Sequence, residues 1–165
     1  MTNLFRVASL VLPLLAVPAQ AAQPAAVAPN LPPGEIIISQ QARMLYFTLG
    51  SGQAIAYPVA VAKRGKEWRG AARVEGKFVN PAWSPPVSVK RDHPELPDVI
   101  PGGSPRNPMG VRAMTLDRDE IAIHGTNRPE SIGTAASYGC IRMRNADVLD
   151  LFARVAVGTP VTMLP

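Results

Sequence analysis

The stretch from Ile121 to Arg144 joins an apolar run ending in His124-Gly125-Thr126-Asn127 to Ser137-Tyr138-Gly139-Cys140-Ile141-Arg142-Met143-Arg144. It carries the sole cysteine and one of the two histidines, each beside a glycine and a short β-type run. A lone thiol with an imidazole elsewhere in the chain is a candidate nucleophile and base. The thiolate is the reacting form, and a free cysteine with a pKa of about 8.5 is mostly protonated at neutral pH. An adjacent imidazole can take that proton and later return it to a leaving amine. His124 is the partner within the motif, 16 positions upstream, enough chain to leave a strand end, loop over and return. The competing reading is that Cys140 is a small buried hydrophobe. Acyl transfer also needs donors for an oxyanion, and the backbone N–H groups of Tyr138, Gly139 and Cys140 are the candidates. Arg142 either binds a substrate carboxylate or braces the loop.

The beginning of the chain points to export. One basic residue, Arg6, precedes the apolar run Val7 to Pro18, which falls short of the roughly 20 residues a bilayer requires. Ala19-Gln20-Ala21 then supplies a small-x-small cleavage pattern. Residues 1–21 therefore read as a cleavable secretory signal, with no membrane span and a soluble mature chain starting near Ala22. Exported proteins usually hold cysteines in pairs, so a single thiol in that setting suggests a reactive group or an intermolecular bridge. Residues 22–33 are Ala/Pro-rich and uncharged, the composition of a flexible spacer. The remainder, 34–165, suits one domain.

With Arg6 removed, 16 basic residues stand against 12 acidic ones. Six of them (Lys63, Arg64, Lys66, Arg69, Arg73 and Lys77) lie close together, which reads first as a solvated face. Outside the cytoplasm an anionic envelope polymer suits this charge better than nucleic acid.

The elements that must position these groups are mostly strands. Glu35–Ser39 and Met44–Leu49 read as a hairpin, and Ala54–Ala62 as a strand that Pro58 makes an edge or a bulge. Arg112–Leu116 and Glu120–His124 form a second hairpin around Asp117-Arg118-Asp119. The proline-rich segment from Asn80 to Pro108 is a long irregular loop of the kind that is often functional. Asn145 is expected to cap a helix with Asp147 in its first turn and Val148, Leu151, Phe152 and Val155 on one face. Val161–Leu164 closes the chain as a strand. The expected fold is mainly β, a sandwich of mixed sheets with one helix near the C-terminus packed alongside.

His124-Gly125-Thr126 followed by Ser137-Tyr138-Gly139-Cys140-Ile141-Arg142-Met143 resembles the signature of the L,D-transpeptidase (YkuD) catalytic domain family. The resemblance extends through Asn80-Pro81, Trp83, Pro85-Pro86, Leu96-Pro97, Pro101-Gly102-Gly103, Asn107-Pro108 and Gly110, and resumes from Asn145 to Leu164. It implies a β-sandwich built around Cys140, with the Gly125 carbonyl orienting the His124 ring as third member of the triad. It assigns Ser137, Tyr138, Gly139 and Arg142 to oxyanion and substrate binding. Two departures stand out. Tyr138 replaces the second histidine of the motif, so a donor that cannot carry positive charge occupies that place. Arg69-Gly70-Ala71-Ala72 stands near the family's Thr-Pro-x-Gly element, a change that bears on donor selectivity.

The implied reaction is attack of Cys140 on the diaminopimelate carbonyl of a peptidoglycan tetrapeptide stem, release of D-alanine, and resolution of the thioester by an amine. Another stem gives a 3→3 cross-link, an outer-membrane protein lysine gives an anchored protein, and water gives an L,D-carboxypeptidase. A wall-link hydrolase and a catalytically weak peptidoglycan-binding module are the alternatives. The resemblance places the protein in the periplasm or cell wall, as a monomer. No cofactor and no metal are expected, since ligand residues are few and their spacing matches no known site. Trp83 and Pro85-Pro86 are candidates to wall the cleft, the loop from Thr126 to Ala136 to flex over it, and His93 reads as a surface loop residue.

Overall fold

The computed structural model describes residues 22–118 and 120–165. The expected secretory signal, residues 1–21, and Asp119 lie outside the described residues. The chain builds β1 (Gln23–Ala26), β2 (Ile36–Ser39), β3 (Met44–Gly50), β4 (Gln53–Pro58), β5 (Val61–Ala62), β6 (Gly70–Val79) and a six-residue α1 (Val87–Asp92). There follow β7 (Arg112–Leu116), β8 (Ala122–His124), a 3-10 turn at Pro129–Ser131, β9 (Ala135–Ser137), β10 (Ile141–Arg142), α2 (Asn145–Arg154) and β11 (Pro160–Leu164). Strand order is β1-β4-β3-β2-β11-β6-β7-β8-β10, with β5-β9 as a separate pair. Most neighbours are antiparallel, while β11 runs parallel to β2 and β10 parallel to β8. The expected mainly β architecture of mixed sheets with a helix alongside is what the chain adopts.

The strand β6 holds the two halves together. Its first residues pair with β11, its later ones with β7, and the register shifts between Val74 and Gly76. Such a bulge bends a strand and increases its twist, which lets one strand serve both halves. Sequence reading took this segment for part of a charged run. Ala72 and Val74 alternate inward with Arg73 and Glu75 outward, but the basic residues around this short alternation drew the reading of a solvated face. Ile36, Ile38, Leu45 and Tyr57 from one half meet Met114, Ile123, Ile141 and Met143 from the other in one core. Val148 and Leu151 of α2 join that core where the helix packs on β7.

Three expectations need correcting. The Ala/Pro-rich segment is not all spacer, because β1 pairs antiparallel with β4 from Gln23↔Ala56 to Ala26↔Gln53. An edge strand is held by backbone bonds and tolerates Pro24, so composition hides it. The long loop after Asn80 contains α1, and Trp83 and Ile100 exchange backbone hydrogen bonds of 2.9 and 2.8 Å across its base. Finally, Asn145 does not cap α2. Arg144 occupies that position with no side-chain capping bond, and the Asn145 amide oxygen faces the site instead.

Candidate active site

Parallel pairing of β10 with β8 sets Arg142 opposite His124 and Ile141 opposite Ile123, so Cys140 enters just ahead of the paired residues. Both apolar partners are fully buried, which locks the register that brings thiol and imidazole to one end of the sheet. Cys140, His124 and Arg142 line a single cleft of about 330 Å³.

His124 is buried, and its Nδ1 lies 2.6 Å from the Gly125 carbonyl oxygen. A carbonyl only accepts, so Nδ1 carries the proton and Nε2 keeps its lone pair. Burial lowers the imidazole pKa to about 4, assisted by the Arg142 charge and opposed by the Gly125 and Pro108 backbone. The ring is therefore neutral at physiological pH, the form a base requires. Gly125 is indispensable for a steric reason: a Cβ there would lie 2.3 Å from the Asn145 amide oxygen. That oxygen accepts hydrogen bonds from the N–H groups of Thr126 at 3.2 Å and Val111 at 3.4 Å, pinning the turn after the histidine.

The half-buried Cys140 thiol lies 3.8 Å from the Glu120 carbonyl. Burial pushes its pKa up; a backbone hydrogen bond from Ala122 and the Arg142 charge pull it down, and Glu120 adds to the rise. The resting site thus pairs a neutral thiol with a neutral imidazole. Arg142 favours the thiolate and disfavours the imidazolium.

The turn before the cysteine is braced from three sides. Ser137 Oγ donates to the Cys140 carbonyl at 2.6 Å and accepts the Gly139 N–H at 3.1 Å. The Trp68 indole N–H donates to the Gly139 carbonyl at 3.1 Å, and the Arg118 guanidinium covers the Trp68 ring at 4.7 Å. Gly139 itself has a φ of 131°, and a Cβ on it would meet Ile121 Cδ1 at 2.5 Å. These contacts revise one expectation. The Gly139 N–H is engaged by Ser137, leaving the Cys140 and Tyr138 amides as oxyanion candidates. Ser137 holds the turn from within and also lines the cleft.

Tyr138 reaches the other way. Its hydroxyl donates to Asp92 at the end of α1 at 2.8 Å, and Lys63 sits over its ring at 3.5 Å. The tyrosine hydroxyl holds the Asp92 carboxyl below its ordinary range. The segment after Asn80 thereby becomes one wall of the cleft. Trp83 and Pro86 line it as expected, and Ser88, Val89, His93, Glu95 and Leu96 join them. His93 is thus a cleft residue, paired with Glu95 at 3.3 Å. Arg106 and Arg128 line the same cleft. The loop after Thr126 touches the cleft only through residues 126–128. Its far part is fastened by Gly133, whose N–H donates to Val59 and whose carbonyl accepts from Arg43. Trp68 and Glu120 went unmarked in the sequence as site residues, and Arg106, Arg128 and the α1 residues were marked only as parts of loops, since no spacing ties them to the cysteine.

Among the described residues no group of three or more His, Cys, Asp or Glu could hold a metal, and no helix is long and apolar enough to cross a membrane.

Fold and site together define a β-built domain that presents a cysteine and a carbonyl-braced neutral histidine in one cleft. The L,D-transpeptidase catalytic domain (YkuD) family model matches residues 33–163. The probable L,D-transpeptidase YbiS of Escherichia coli K12 is 37% identical over 139 residues, 79% of this chain and 44% of that protein. The probable L,D-transpeptidase ErfK/SrfK of Salmonella typhimurium is 35% identical over the same shares. The chain therefore spans less than half the length of these curated relatives. Among solved structures, the catalytic domain of the Enterococcus faecium L,D-transpeptidase acylated by ertapenem superposes with a TM-score of 0.61 at 18% identity, over 82% of this chain and 99% of that one. An L,D-transpeptidase from Mycobacterium tuberculosis H37Rv gives 0.61 at 14% identity, over 86% and 58%. The chain belongs to the L,D-transpeptidase catalytic domain family.

Proposed function

We propose that the domain is a cysteine-dependent L,D-transpeptidase acting on peptidoglycan tetrapeptide stems in the periplasm, to which residues 1–21 direct it. One observation carries the proposal: His124 Nδ1 lies 2.6 Å from the Gly125 carbonyl, which leaves Nε2 without the proton on a ring that lines the same cleft as Cys140. His124 takes the thiol proton as the sulfur attacks the diaminopimelate carbonyl. The C–S bond forms, the amide C–N bond breaks, and the same proton leaves with D-alanine. An incoming amine then reverses the sequence, giving up its proton to His124 and returning the thiol to Cys140. The backbone N–H groups of Cys140 and Tyr138 receive the oxyanion in both halves. Arg142, Arg106 and Arg128 supply guanidiniums for the free carboxylates of the stem, which Arg binds with two parallel hydrogen bonds.

The Enterococcus domain that forms an ertapenem adduct suggests the probe. Mass spectrometry of the purified chain with ertapenem is expected to show one adduct on Cys140, and none in Cys140→Ala. With disaccharide-tetrapeptide as substrate, the expected product is a 3→3 dimer lost in the same variant. A tripeptide alone would assign water as acceptor and make the enzyme an L,D-carboxypeptidase. Dimer formation by Cys140→Ala would overturn the mechanism.

A further inference from the structure

The cleft holds a second imidazole that the acylation chemistry leaves unused. Pro94 follows His93, and a residue before proline is steered out of helical geometry, so α1 ends at Asp92 with His93 as its cap. The Leu96 N–H closes a turn onto the His93 carbonyl at 3.2 Å, and across that turn His93 Nδ1 lies 3.3 Å from Glu95 Oε1. A carboxylate draws the proton to the nitrogen that faces it, which leaves Nε2 with the lone pair. Both side chains line the cleft of about 330 Å³ that also holds Cys140 and His124. Two ties keep the pair in place. Asp92, next to His93, accepts the 2.8 Å hydrogen bond from Tyr138, two positions ahead of Cys140. Lys90 donates to the Leu96 carbonyl and pairs with Asp98 at 3.0 Å, which fastens the base of the turn.

Resolving a thioester with an amine involves two protons, because amines with ordinary pKa values of about 8 to 10 arrive as ammonium ions at neutral pH. One proton passes through His124 to the Cys140 sulfur. The other must leave before the nitrogen lone pair can attack, and His124, with its pKa lowered to about 4, is too weak a base to strip it. Arg106, Arg128 and Arg142 repel a cation, whereas Glu95 attracts one. We propose that Glu95 and His93 form the acceptor site, Glu95 drawing in the ammonium and His93 Nε2 taking its first proton. This rests on the transpeptidase reading and names the acceptor half of that same cleft. The freed amine forms the new C–N bond at the thioester carbonyl, the C–S bond breaks, and the second proton reaches the sulfur by way of His124. His93, half exposed where His124 is buried, hands the first proton to water. The products are one amide, one thiol and one proton in solvent.

The test reads how one acyl-enzyme divides between amine and water. The ratio of 3→3 dimer to tripeptide made from disaccharide-tetrapeptide does not depend on how much of the protein is folded or acylated. His93→Gln is expected to lower that ratio at saturating stem by about tenfold or more, the scale of a lost general base. Glu95→Gln is expected to raise severalfold the stem concentration at which the ratio is half-maximal, and to lower the plateau less. The two side chains are 50% and 69% exposed, so neither substitution threatens the fold. Unaltered ratios in both variants, with dimer still made, would overturn the acceptor site and leave the transpeptidase standing. An equal fall in Glu120→Gln would also overturn it, since any acid lining the cleft would then serve. Tripeptide alone from the unmodified chain would remove the amine acceptor and this site with it, and no product at all would remove the transpeptidase reading as well.

Discussion

His124 sets the acid limit of the site. Burial holds its pKa at about 4 against an ordinary 6.5, so the imidazole stays unprotonated well below neutrality. The rate of Cys140 acylation by ertapenem is expected to hold from pH 7 through 6.5 and to fall only as pH approaches about 4. Arg142 helps depress this value, so Arg142→Gln is expected to move the acid limb upward, toward 6.5. Stability follows the same sign. The unfolded chain protonates this histidine more readily than the folded one, so its contribution is complete above pH 6.5 and is lost as pH falls toward 4. An acid limb near 6.5 in the unmodified chain would show an imidazole open to water. The residue scale was also the most legible in the sequence. A sole cysteine, a histidine, and the glycines beside them announce their chemistry by type alone.

At the scale of elements the sequence was legible only where contacts are local. The two hairpins close over short turns, and α2 has the spacing of an amphipathic helix, so periodicity revealed them. The braces of the cysteine turn are not local. Trp68 reaches Gly139 across 71 positions, and Tyr138 reaches Asp92 across 46, so no window of sequence contains either pair. Trp68→Phe keeps an aromatic, though smaller, ring and deletes the indole donor, about 1 kcal/mol of hydrogen bonding on the backbone beside Cys140. Acylation is expected to slow by up to about tenfold with little change in Tm, and a Tm drop at unchanged rate would make the contact merely structural. Tyr138 ties the same turn to the wall formed by α1. Tyr138→Phe retains the ring under Lys63 but releases Asp92. Because α1 buries no side chain, that bond is a main restraint on its position over the cleft. Stem-peptide KM is expected to rise severalfold with kcat nearly unchanged; a fall in kcat alone would place the hydroxyl at the reacting carbonyl instead.

Across the whole molecule, β6 decides whether two half-sheets behave as one body. It carries the register shift between Val74 and Gly76, and just beyond it Lys77 crosses to α2. Its Nζ donates to the Phe152 carbonyl at 2.7 Å and to that of Val155, and lies over the Phe152 ring at 4.2 Å. A cation placed there satisfies carbonyls left open at a helix C-terminus and opposes the negative end of its dipole. The helix in turn holds Asn145 against the His124 turn at its opposite end, so one lysine on the sheet helps seat the element that braces that turn. In the sequence Lys77 was one charge in a cluster of six, indistinguishable from its exposed neighbours. Lys77→Met preserves the apolar stem and removes two charge-assisted hydrogen bonds, which is expected to cost about 2 kcal/mol, or roughly 4–8 °C in Tm. Ertapenem acylation at 25 °C is expected to stay within about twofold, because the folded site is unchanged while the unfolded fraction remains small. A variant with unaltered Tm would mean that solvent satisfies the helix end equally well, and that β6 joins the halves through its backbone alone.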